Sequence, residues 1–173
     1  MKEENAISAR HAAMNLLARR EHSLQELRRK LGKRFDQAEL EQALRGLIDD
    51  KLQSDTRFCE AYTRDRVRKG FGPAKITAEL QHRGVKAGDI ETAIRRVREE
   101  QGLSWEQVAE QVLMQKFGPL TSEASDEAVS LAPPSSSISV ERTRELSRRL
   151  RFLESRGFAR YLPAELMNHM AST

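Results

Sequence analysis

Apolar residues recur along the chain with the spacing of an amphipathic helix. The clearest stripe consists of Trp105, Val108, Ala109, Val112 and Leu113. Similar stripes lie within residues 9–17, 40–48 and 90–97. Residues spaced in this way share one face of a helix, whereas a strand needs alternation with a period of two, which no window shows strongly. The pattern therefore predicts an all-α protein in which each helix has one buried face.

Capping residues mark where these helices begin and end. Ser23 with Glu26, and Ser104 with Gln107, have the spacing of a capping box ahead of an apolar run. Pro73 stands at a first helical position, where its missing N–H is not needed. Glycine often ends a helix in the left-handed conformation, and it follows three predicted helices, at Gly32, Gly84 and Gly157.

Three segments of the chain resemble one another, at residues 24–35, 76–85 and 150–158. Each contains a leucine, then a glycine and a further apolar residue. The leucines at matching places are Leu27, Leu80 and Leu153. Because another predicted helix precedes and follows each segment, the sequence predicts three copies of a three-helix, helix-turn-helix-like repeat.

The predicted repeats cover residues 1–54, 55–103 and 104–173. Repeats of about 50 residues pack mainly against their neighbours, so we expect an elongated, curved tandem array. The third repeat is longer because of residues 121–141, where Ser, Glu, Ala and Pro dominate. This composition predicts a disordered acidic insertion, which either screens the basic surface or is tolerated without a role.

Composition restricts the class of protein. The chain has 30 Lys and Arg against 26 Asp and Glu, and its only cysteine is Cys59. This excess of positive charge favours a polyanion or an acidic surface as partner. A single cysteine excludes an internal disulfide and a cysteine metal cluster, and a charged N-terminus predicts no signal peptide or membrane span. We expect a cytoplasmic monomer that is not bound to a membrane.

No catalytic or cofactor motif is found. The four histidines lack ligand spacing, and no Walker loop, dinucleotide fingerprint or nucleophile elbow is present. The glycine-rich stretch 70–73 lacks the Lys-Ser/Thr pair of a phosphate loop, so a tight turn is the favoured interpretation. Trp105, Cys59 and Tyr62 are expected to pack in or beside the core. The sequence predicts no enzyme, no metal and no cofactor.

Basic clusters are the main functional candidates. The first comprises Arg28, Arg29, Lys30, Lys33 and Arg34. The second comprises Arg64, Arg66, Arg68 and Lys69, with Lys75 and Arg83 beyond it. The third comprises Arg142, Arg144, Arg148, Arg149 and Arg151, of which the last three are the expected contacts. Charges near a helix C-terminus stabilise the helix dipole, which explains part of the pattern. So many cations, with few aromatics, favour contacts to phosphates or carboxylates over readout of bases.

Residues 57–85 resemble the central motif of the RecX family. That motif places an Arg-Phe-x-Glu-x-Tyr helix before a Gly-x-Gly-Pro turn and an Ile-x-x-Glu-Leu helix that ends at Arg-Gly. The matching structural positions are Phe58, Tyr62, Gly70, Gly72, Pro73, Ile76, Leu80 and Gly84. The resemblance extends over most of the chain outside 121–141, and it implies a tandem array of three-helix repeats without catalytic residues.

The resemblance also implies a function in recombinational DNA repair. RecX proteins modulate the RecA recombinase, bind RecA filaments on single-stranded DNA along the filament groove, and restrain ATP hydrolysis, filament extension and strand exchange. The basic clusters are then the expected filament contacts, with weak direct binding to single- or double-stranded DNA. Two alternatives remain open: a sequence-independent DNA-binding protein that contacts phosphates directly, and a scaffold without a nucleic-acid role.

Overall fold

The computed structural model describes residues 8–119, 137–163 and 166–167. Within these ranges the protein has eight helices and no strand, which confirms the predicted all-α class. The helices are α1 (Ala9–Leu17), α2 (Leu24–Leu31), α3 (Gln37–Asp49), α4 (Asp55–Arg68), α5 (Pro73–His82), α6 (Ala87–Gln101), α7 (Trp105–Phe117) and α8 (Ser137–Arg156).

The described residues form two compact units. The first contains the described residues up to Asp65 together with Thr77–Glu100, and the second contains Arg66–Ile76 and the described residues from Gln101 onward. The boundary passes through α4 and α5, so each of these helices contributes one end to each unit.

The core of the first unit begins with the packing of α1, α2 and α3. The small residues Ala9, Ala12 and Ala13 let α1 approach its neighbours closely, and all three are buried. The leucines that pack against them are Leu27, Leu31, Leu40, Leu44 and Leu47. Ser23 caps α2 as predicted, because its side chain accepts a hydrogen bond from Glu26 N. Ser8 caps α1 in the same way, through His11 N.

The repeated leucines occupy equivalent buried places. Leu27, Leu80 and Leu153 are each 0 % exposed. The second unit is built on the predicted apolar stripe of α7, all of whose members are buried. The Trp105 ring packs 6.5 Å from Phe158 and 6.3 Å from Tyr161, measured between ring centroids.

The structure differs from the sequence expectations at two places. Helix α8 begins at Ser137, so the last five residues of the predicted insertion are helical, while its residues 121–136 lie outside the described part. Gly84 and Gly157 have the predicted positive φ, at 74° and 90°. Gly32 does not, because at φ −61° it continues the right-handed helical geometry and its N–H bonds to Arg28 O.

Candidate partner-binding site

The turn after α5 packs against the start of α2. Ser23 Oγ donates a hydrogen bond to Arg83 O at 2.9 Å. Gly84 has φ 74°, and a Cβ at this position would overlap the side chain of Gln25. Both the left-handed backbone and the close approach therefore require glycine here. This Arg-Gly turn fixes α5 to α2 within the first unit.

The Arg83 side chain is held on several sides. Its guanidinium lies 4.6 Å from the centroid of the Tyr62 ring, and its Nη1 donates to Glu79 O at 2.7 Å. Its Nε lies 3.3 Å from the Glu26 carboxylate, and Tyr62 Oη donates to Glu79 at 2.5 Å. Arg83, a predicted filament contact, is thus mainly part of this joint, with 26 % of its side chain exposed.

A second joint of the same design lies within the second unit. There Gly72 N donates to Arg156 O at 2.8 Å, and a Cβ at Gly72 would lie 2.5 Å from Gly157 O. The Arg156 guanidinium donates to Lys69 O at 2.9 Å and lies 4.8 Å from the Phe71 ring centroid. In both joints an Arg-Gly turn packs on the start of another helix while the arginine stacks on an aromatic ring.

The remaining residues of the family motif are also placed inside the fold. Phe58, Ile76 and Leu80 are buried, and Tyr62 is half-buried. Gly70 has φ 72°, and a Cβ there would overlap Val112. Sequence reasoning missed Arg156, although its pairing with Gly157 repeats the Arg83–Gly84 dipeptide and could have indicated the second joint.

The first basic cluster divides into engaged and available cations. Arg28 makes two hydrogen bonds to Glu41, at 2.7 and 2.9 Å, which lower the pKa of that carboxyl group and raise the pKa of Arg28. The Arg34 guanidinium lies 5.5 Å from the Phe35 ring centroid. Arg29 and Lys33 are exposed and make no hydrogen bond or ion pair with any described residue.

Most side chains of the second cluster interact with other groups of the same protein. Arg64 donates to Glu100 at 2.8 Å, and this hydrogen bond raises the pKa of Arg64. Arg66 lies 5.2 Å from the centroid of Phe71. Arg68, Lys69 and Lys75 are exposed. Of these three, Lys75 has no polar partner among the described residues.

The third cluster contains one buried arginine. Arg149 is 3 % exposed and donates to Gly118 O and Pro119 O at 3.0 and 3.1 Å, which caps the end of α7. It also pairs with Glu145 at 2.7 Å. Its charge is therefore used inside the second unit and not presented to a partner. The neighbouring Arg148 is exposed, and Arg151 donates to Ser147 O.

A cleft of about 610 Å³ opens between α2 and the end of α5, within the first unit. Its walls are formed by Gln25, Glu26, Arg28, Arg29, His82 and Arg83. Three predicted contacts line it, because Arg28 and Arg29 belong to the first cluster and Arg83 lies beyond the second. Arginine in an open cleft can donate several hydrogen bonds to an anion.

The described residues bear on metal binding, thiol reactivity and membrane crossing. Among them, no group of three or more His, Cys, Asp and Glu side chains could hold a metal ion. Cys59 is buried, as predicted, and burial raises the pKa of its thiol to about 12. A protonated, buried thiol is a poor nucleophile. None of the described helices is long and apolar enough to cross a membrane.

His22 is a buried titratable group beside the first cluster. It is 2 % exposed; its Nδ1 lies 3.0 Å from Arg20 O and its Nε2 lies 3.2 Å from Lys30 Nζ. An ammonium can only donate, so Nε2 accepts and the imidazole is neutral. Burial lowers the pKa of His22, and the nearby charges of Arg20 and Lys30 lower it further.

Stability is therefore expected to fall on acidification. The folded-state pKa of His22 lies below the ordinary 6.5, so its contribution is present above pH 6.5 and is lost as the pH falls through the folded value. Urea unfolding between pH 7.5 and 5 measures this. His22→Gln, which cannot charge, should lose less stability than the wild type over that range. Identical slopes for the two proteins would contradict the assignment.

Taken together, these features define the class: a tandem helical-repeat protein. Residues 9–46 match the family model described as RecX, first three-helix domain, and residues 54–94 match RecX, second three-helix domain. By this match and the relatives that follow, the chain belongs to the RecX family, and it is a regulatory protein and not an enzyme.

Known relatives cover nearly the whole chain. Regulatory protein RecX of Pseudomonas syringae pv. tomato is 34 % identical over 171 residues, which are 98 % of this chain and 93 % of the relative. The protein of the same name from Pseudomonas fluorescens SBW25 is 35 % identical over 167 residues, covering 95 % of this chain and 93 % of the relative.

Two solved structures share the fold. A crystal structure of regulatory protein RecX aligns with a TM-score of 0.65 at 18 % identity, covering 95 % of this chain and 72 % of the other. The crystal structure of RecX from Lactobacillus salivarius aligns with a TM-score of 0.62 at 18 % identity, covering 95 % and 96 %. These likenesses support the helical repeat array.

Proposed function

We propose that this chain modulates the RecA recombinase by binding RecA filaments on single-stranded DNA. Membership of the RecX family supports this proposal, and the observation that carries it is a set of exposed cations without polar partners in the described chain: Arg29, Lys33, Lys75 and Arg148. Ion pairs or backbone carbonyls already engage half of the other ten predicted contacts, namely Arg28, Arg64, Arg83, Arg149 and Arg151. Unengaged cations are available to an external anion without loss of an internal bond.

The proposed mechanism is steric and electrostatic. Three repeats, at residues 1–54, 55–103 and 104–173, bind the filament in the cytoplasm as one copy of the chain. The two Arg-Gly joints hold helices together within each unit, which limits how far the protein deforms on binding. Occupancy hinders the subunit motions that accompany ATP hydrolysis and blocks the addition of further RecA, so filament extension and strand exchange slow down.

Substituting the four available cations with glutamine tests which charges bind. We expect Arg29→Gln, Lys33→Gln, Lys75→Gln and Arg148→Gln together to weaken filament binding at least tenfold, because each loses a charge-assisted contact. Thermal unfolding should be unchanged. The matched control removes four other exposed cations that lack polar partners among the described residues: Lys86, Arg95, Arg98 and Lys116.

Both variants lower the net charge by four, so long-range attraction falls equally. Fluorescence anisotropy with a labelled oligonucleotide, measured with and without RecA, gives the two affinities. Equal weakening by both variants would contradict a specific contact surface. Tight, salt-dependent binding of wild type to naked DNA, with no gain from RecA, would favour a direct DNA-binding protein.

A further inference from the structure

The cleft between α2 and α5 is large enough to hold part of a ligand. Its volume of about 610 Å³ lies within the range of small-ligand pockets and suits a few residues of a peptide. It is lined by polar and charged side chains, with Arg29, Arg83 and Gln25 providing hydrogen-bond donors.

Positive charge is in excess in this cleft. The single lining carboxylate, Glu26, has 8 % of its side chain exposed and already pairs with Arg20 at 3.0 Å and with Arg83 at 3.3 Å. Arg28 is neutralised by Glu41 outside the lining. Arg29 and His82 are exposed, and neither bonds to a polar group in the described ranges. An incoming anion therefore meets unused donors at Arg29.

One wall of the cleft is held in place before any ligand binds. Arg83 is held by the Tyr62 ring, by Glu79 O and by Glu26. The bond from Ser23 Oγ to Arg83 O and the glycine at 84 join this wall to the start of α2. A preformed wall loses little conformational entropy on binding, which favours affinity.

The lining favours a carboxylate over a nucleic-acid backbone. The lining contains no Phe, Tyr or Trp, and the nearby Tyr62 ring is covered by Arg83, so among the lining side chains only the His82 imidazole offers a ring to a base. The ion pairs of Glu26 and Glu41 leave positive charge at separate points of the cleft and not in a continuous row that could follow a phosphate backbone. Separate carboxylates of a peptide can instead pair with individual guanidinium forks.

We propose that this cleft binds a short acidic segment of a protein partner, with Arg29 as the anchor and Arg83 and Gln25 as supporting donors. Only the identity of that partner, a subunit of the RecA filament, rests on the proposed function. The chemistry of the cleft is independent of it and can be tested with a peptide alone.

The probe is hexaglutamate carrying a fluorescein label, titrated with the full chain at low salt. Arg29→Gln should raise the dissociation constant about tenfold, the value of one charge-assisted hydrogen bond. The control is Arg95→Gln, which makes the same chemical change at another exposed arginine without a polar partner in the described ranges, on α6 and outside the lining. It should change the constant less than twofold.

Three results would overturn the proposal. One is no saturable binding of the peptide to wild type, and another is an equal loss for both variants, which indicates diffuse attraction. The third is a labelled twelve-residue oligothymidylate that binds more tightly than the peptide and is equally sensitive to Arg29→Gln, which assigns the cleft to nucleic acid. The rate of ATP hydrolysis by RecA, measured with and without wild type, separates this proposal from the proposed function. An unchanged rate refutes modulation of RecA but does not affect the conclusion from peptide binding.

Discussion

Replacing Gly157 with alanine is expected to lower the free energy of unfolding of the second unit by about 2–5 kcal/mol. Gly157 has φ 90°, a conformation that disfavours any Cβ, and the added atom would overlap the backbone N of Lys75. A backbone atom at the start of α5 cannot move aside as a flexible side chain could. The joint between the Arg156–Gly157 turn and α5 must therefore open or distort.

Gly102→Ala separates the two causes. Gly102 also has positive φ, at 57°, but a Cβ there would meet nothing within 4 Å. Its substitution should cost about 1–2 kcal/mol, the conformational part alone. Urea unfolding followed by fluorescence of Trp105, the only tryptophan, reports on the second unit. Equal losses for the two variants would show that contact with α5 contributes nothing.

Arg149→Met is expected to destabilise the second unit by about 2–4 kcal/mol. The substitution leaves Gly118 O, Pro119 O and Glu145 without the guanidinium that now satisfies them. It also removes the stacking of Arg149 on Phe117, at 5.4 Å. Glu145 is one-third exposed and can be solvated, which keeps the loss at the lower end for a broken buried pair.

The adjacent residue provides the control. Arg148→Met makes the same chemical change at an exposed position without a polar partner in the described chain, and it should alter stability by less than about 0.5 kcal/mol. Filament binding should show the reverse order at equal folded concentration, with Arg148→Met weaker than Arg149→Met. Similar unfolding midpoints for the two variants would contradict the assignment of Arg149 as an internal cap.

Local patterns predicted the helices well. The stripe on α7 is buried as expected, and Ser23 and Ser104 cap the helices that follow them. Such features depend on residues three or four places apart, so they are visible in the sequence. Each matching leucine of the repeats also lies within a short pattern that can be recognised in the sequence, and Leu27 and Leu80 are fully buried.

The roles of individual arginines were less predictable, because they depend on distant partners. Arg148 and Arg149 are neighbours of the same type, yet Arg149 bonds to carbonyls about 30 residues earlier in the chain. Gly32 and Gly84 follow similar segments, yet positive φ occurs only at Gly84, where the turn packs against α2. In both cases tertiary contacts determine the outcome: which arginine is buried and which glycine has positive φ. The local sequence does not reveal these contacts.

The central claim is that this chain restrains RecA through its unengaged cations. Its most direct test is the rate of DNA-dependent ATP hydrolysis by RecA as the protein is added below the RecA concentration. We predict that wild type lowers the rate at substoichiometric amounts and that the Arg29, Lys33, Lys75 and Arg148 glutamine variant requires at least tenfold more protein. Unchanged hydrolysis up to a molar excess of wild type would contradict the claim.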